Sequence, residues 1–101
     1  MKPPATLVID ELRQAINRIL DDTAASLGDR VELDGGLYWQ VPAQQLHAMD
    51  PDTVTLTAGD LDDDIQTMHE YLGSSGPAPA LWHELNHLVG ILRTLEAMTL
   101  P

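Results

Sequence analysis

The sequence predicts a small α+β fold: one domain over residues 1–101, with three long helices packed on a short antiparallel sheet, a hairpin plus one further strand. Three observations carry that prediction. Apolar residues recur at helical spacing near both ends of the chain and again around residue 65. A glycine-rich turn sits between alternating apolar residues at 31–41. A short β-branched run, TVTLT, follows at 53–57.

The first helix is expected over 5–25. Val8, Ile9, Leu12, Ala15, Ile16, Ile19 and Leu20 share one face at 100° per residue, while Asp10, Arg13, Asn17 and Asp21 take the other. Pro3 and Pro4 fit only before or within its first turn, and Gly28 supplies a stop. In RVELDGGLYWQVP (30–42) the alternation of Val31, Leu33, Leu37, Trp39 and Val41 across Asp34-Gly35-Gly36 predicts a hairpin. Its second strand would turn Leu37, Trp39 and Val41 inward and Tyr38 outward, because successive side chains alternate. With no Phe in the chain, Trp39 and Trp82 are then the largest core candidates. PAQQLHAM (42–49) starts with a proline suited to a first helical position and predicts a short helix. Asp60 is a good N-cap for a second long helix to Leu72, with Leu61, Ile65, Met68 and Leu72 on one side. GSSGPAPA (73–80) has the composition of a flexible loop. The last helix, 81–98, sets Leu81, Leu85, Leu88, Leu92 and Leu95 at heptad spacing, a stripe expected to be buried.

Composition excludes several function classes. Sixteen Asp and Glu against five Lys and Arg give a net charge of -11. Binding to nucleic acid or to anionic lipid through phosphate contacts requires the cations this chain lacks. There is no cysteine, hence no disulfide and no thiolate ligand or nucleophile. No run of 18 apolar residues is present to span a bilayer, and the apolar segment near the N-terminus is too short for a secretory leader, so a cytoplasmic location is expected. No P-loop, G-x-G-x-x-G or G-x-S-x-G motif occurs.

The sharpest chemical motif is HELNH at 83–87. Histidines four apart on a helix share a face and can hold one metal ion, and a glutamate between them can act as general base on bound water. HELNHLVGILR resembles the metzincin active-site stretch as far as Gly90, but Arg93 stands where that pattern has its third histidine. Residues 83–93 are also locally similar to DinB-type helix bundles, which pair an HxxxH with one earlier histidine. That resemblance implies a third ligand from His47 or His69. A divalent-metal protein, with zinc or a similar ion on His83, His87 and one of these, and with Glu84 as base of a metal-dependent hydrolase, is therefore the enzyme-class alternative. Otherwise His83, His87, Gly90 and Thr94 are the solvated side of an amphipathic helix. In that reading, replacing either histidine by alanine costs under about 0.5 kcal/mol. The acidic run 60–64 lacks the Gly and Glu of an EF-hand loop and suits the positive end of a helix.

The leading expectation is a non-catalytic interaction module without cofactor, a homodimer paired through the last helix. Beyond its leucine stripe that helix carries Trp82, Val89, Ile91 and Met98, a wider apolar arc than one small domain needs. Leu88, Leu92 and Leu95 are expected in the seam, with Ile91 or Trp82 at its edge against the second chain. The negative charge favours a basic protein as a further partner, in the manner of immunity proteins or antitoxins.

Overall fold

The computed structural model describes residues 3–33 and 36–101. Three helices and a two-stranded antiparallel sheet make it α+β. The chain forms two compact units, Met1–Glu32 and Leu33–Pro101.

The first unit is built on one helix, α1 (Ile9–Leu27). It starts four residues later than the periodicity suggests, after Val8, whose side chain makes no cap. Asp10 in the first turn instead receives hydrogen bonds from Arg13 and Gln14, each at 2.8 Å. With no second helix or strand among the described residues of this unit to pack on, Ile9, Leu12, Ile19 and Leu20 remain exposed.

The second unit contains β1 (Leu37–Gln40), β2 (Thr57–Asp60), α2 (Leu61–Gly73) and α3 (Leu81–Met98). The turn residues Asp34 and Gly35 of the expected hairpin lie outside the described residues. Residues 31–33 form no strand, and β1 pairs with β2 instead, Tyr38 opposite Gly59 and Trp39 opposite Ala58. The strand expected at 53–57 thus begins only at its last residue. Its earlier backbone is occupied elsewhere: Pro51–Thr53 forms a 3-10 turn capped by Asp50, and the Thr55 N–H donates to the Gln45 side chain at 2.8 Å. The helix expected at 42–49 shrinks to one 3-10 turn, Ala43–Gln45. A helix that short gains too few backbone bonds to offset its nucleation.

The pleat of β1 is opposite to the one hydrophobicity suggests. Leu37 and Trp39 are both 75% exposed, while Tyr38 and Gln40 face inward. Trp82 is exposed too, so neither tryptophan is core. What sets the register is space and polarity. Tyr38 lies across Gly59, where any Cβ would overlap its ring, and its hydroxyl finds a partner on α2.

Helix α2 starts as its sequence indicates, with the Asp60 carboxylate accepting from the backbone N–H of Asp62 and Asp63. It packs on α3. Among the described residues Leu61 is the buried apolar side chain, and Asp64, Gly59 and Gly90 are buried as well. Helix α3 occupies its expected span but turns the other way. Glu84, His87, Gly90, Ile91, Thr94 and Leu95 are the buried or half-buried positions. Leu81, Leu85, Leu88 and Leu92 are left exposed, Leu81 by 69%. Four of the five leucines expected inside are on the outside and only Leu95 is half-buried, because the inner side of α3 must admit the Tyr38 hydroxyl and the Asp64 carboxylate. Among the described residues no helix is long and apolar enough to cross a membrane.

Candidate functional site

A connected set of polar side chains runs through the second unit. The Tyr38 hydroxyl on β1 donates to Oδ2 of Asp64 on α2. The other carboxylate oxygen, Oδ1, lies 2.6 Å from Nδ1 of His87 on α3. His87 Nε2 in turn lies 3.3 Å from Nε2 of His83, one helical turn earlier. His83 Nδ1 is 3.4 Å from Glu84 Oε1, a long and weak contact.

Local sequence explains how each group arrives. Asp64 follows Leu61 by three residues and precedes Met68 by four, so the helical period carries it onto the packed side of α2. Its side chain is 3% exposed, and a carboxylate so buried must be hydrogen-bonded on both oxygens, as it is. Among the described residues no buried side-chain nitrogen or oxygen lacks a partner. Room for the cluster comes from glycine. A Cβ at position 90 would overlap both the Tyr38 hydroxyl and Asp64 Oδ2. Glycine inside a helix costs about 1 kcal/mol relative to alanine, so its presence there has a packing reason.

The proton positions follow from the carboxylate. An ionised Asp64 can only accept, so Nδ1 of His87 carries the proton and, in the neutral ring, Nε2 holds the lone pair. Burial first, then the hydrogen bond to Asp64 and that residue's charge, push the Tyr38 phenol above its ordinary value of 10.0. The folded protein therefore keeps a proton that the unfolded chain gives up. Its contribution to stability is complete below pH 10 and is lost as pH rises from there toward the folded value. Tyrosinate absorbance followed through an alkaline titration is expected to show a late component that is missing from Tyr38→Phe. A titration identical in the two proteins would contradict this account.

The residues singled out from sequence distribute unevenly around this cluster. His83 and His87 do share a face. His87 is not on a solvated side, however: its side chain is 18% exposed and bonded to Asp64, so its replacement costs more than a surface change. His47 and His69 are exposed and join neither histidine. Among the described residues no three His, Asp or Glu side chains converge as a ligand set. Glu84 reaches His83 at Nδ1, away from the paired Nε2 atoms, rather than facing the place where a metal-bound water would stand. Of the seam residues, Trp82, Leu88 and Leu92 are exposed, while Ile91 and Leu95 are half-buried within the unit. Tyr38, Asp64, Gly59 and Gly90 were not apparent as a group. An acid in a buried helical slot and a glycine in mid-helix are the signals that mark them.

Compared with protein-family models, curated proteins and solved structures, the chain matches none. The site is therefore read from its own chemistry. The buried Asp64 carboxylate bonds Nδ1 of His87 and orients that ring.

Proposed function

We propose that the protein is a non-catalytic interaction module that pairs with a second copy of itself through α3. The observation that supports this reading is the orientation of that helix. The unit packs α3 by its polar side and leaves Leu81, Leu85, Leu88 and Leu92 exposed, with Trp82 and Val89 beside them. Spacing of four, three and four residues is the spacing of a seam that meets another helix. A second copy presents the same seam, and a two-fold axis makes it self-complementary. Two copies at -11 each repel, which leaves an uncharged stripe as the contact with least electrostatic cost. A basic protein is the further partner that this charge favours.

Light scattering at about 100 μM, well above the dissociation constant of an ordinary stable dimer, tests the pairing. The expected result is a dimer that tightens with added salt, since salt screens the repulsion between copies. Leu85→Asp, at an exposed position, should give monomers with unchanged helix content. A wild-type monomer at that concentration overturns the proposal.

A further inference from the structure

We propose that His83 and His87 form a two-nitrogen site for a divalent transition-metal ion on α3, with Asp64 and Glu84 as positioning residues. This inference is independent of the pairing of copies, since neither histidine belongs to the exposed leucine stripe.

The Nε2 atoms of the two rings are 3.3 Å apart. Zinc binds imidazole nitrogen at about 2.0–2.1 Å, so an ion on both would subtend roughly 107°, close to a tetrahedral angle. The spacing needs no adjustment of the backbone. The rings, inclined by 72° with centroids 4.7 Å apart, leave the shared edge open to solvent on the His83 side, where that side chain is 47% exposed.

The second argument is about protons. Asp64 holds the proton of His87 on Nδ1, and the Tyr38 hydroxyl bond fixes Asp64 itself. Glu84 stands 3.4 Å from Nδ1 of His83, on the ring edge away from the paired Nε2 atoms. Nε2 of His87 then turns its lone pair toward Nε2 of His83 at hydrogen-bond distance, a gap that a proton on His83 bridges in the free protein and that a divalent cation can take over. A carboxylate on the far nitrogen of a ligating histidine is the usual outer partner of a metal site, and it raises the basicity of the ring. Two imidazoles and no oxygen ligand select zinc, copper or nickel over calcium or magnesium, with the remaining positions filled by water.

Zinc titrated calorimetrically into tag-free protein at physiological ionic strength tests the proposal. One zinc per chain is expected. His83→Ala and His87→Ala should each weaken binding at least tenfold, and Asp64→Asn should weaken it by about 10–100-fold through the ring it orients. His47→Ala and His69→Ala should bind as the wild type does. His83 makes no contact that the fold depends on, so its variant remains folded and informative even if Asp64→Asn does not. Absence of zinc binding at 100 μM protein, or binding unchanged in His83→Ala, overturns the site.

Discussion

Asp64→Ala is expected to destabilise the protein by about 3 kcal/mol. The carboxylate accepts from the Tyr38 hydroxyl and lies against the His87 ring N–H, and it is itself almost fully buried. Alanine would leave both donors without an acceptor, and each buried orphan costs about 1–3 kcal/mol. The loss of a first-turn carboxylate at the N-terminus of α2 adds a few tenths to this. The urea midpoint is the appropriate measure, because its slope reveals whether the variant still unfolds in one cooperative step. Tyr38→Phe removes one of the two donors, so combining it with Asp64→Ala should cost less than the two separate changes summed. Additive losses would mean that the hydrogen bond contributes nothing. So would a loss below 1 kcal/mol for Asp64→Ala.

Gly90→Ala is the second large effect, about 2 kcal/mol of destabilisation or roughly 10 °C in Tm for a chain of this size. Alanine gains close to 1 kcal/mol in helix propensity, which by itself would stabilise α3. Against this, the new methyl overlaps Tyr38 and Asp64 at once, which places it at the upper end of the overpacking range, about 3 kcal/mol. Tyr38 cannot retreat without giving up its bond to a buried carboxylate. The background decides the cause. In Tyr38→Leu, whose shorter side chain vacates the slot and leaves only the Asp64 overlap, Gly90→Ala should cost clearly less than it does in the parent. A loss of equal size in both backgrounds would place its origin outside the Tyr38 contact.

Helix α3 was legible to the residue, because the Pro-rich segment before it and five leucines at heptad spacing bound it on both sides. Which way it faces was not. Counting apolar residues assigns the leucines to the interior, and that rule has no term for a tyrosine that must bring its hydroxyl to a carboxylate. The same oversight reversed β1, where Trp39 outweighs Tyr38 in hydrophobicity but has no glycine opposite it. HELNH was recognisable as two rings on one helix face. Its outer partner was hidden, since Asp64 is one of four acids in five residues and only its place in the Leu61–Met68 period sets it apart. The sheet pairing joins segments 20 residues apart across two 3-10 turns, and nothing in 53–60 marks Gly59 as the partner of Tyr38 before the register is known.

The Tyr38 slot also divides the chain by its tolerance to change. Between Gln40 and Thr57 the backbone runs through a loop whose closure costs chain entropy that grows only with the logarithm of its length. Doubling that loop would cost about 0.6 kcal/mol, less than the single methyl group that positions 59 and 90 exclude. Insertions there are therefore cheap, while the two glycines that flank the tyrosine, far apart in sequence, admit no side chain at all.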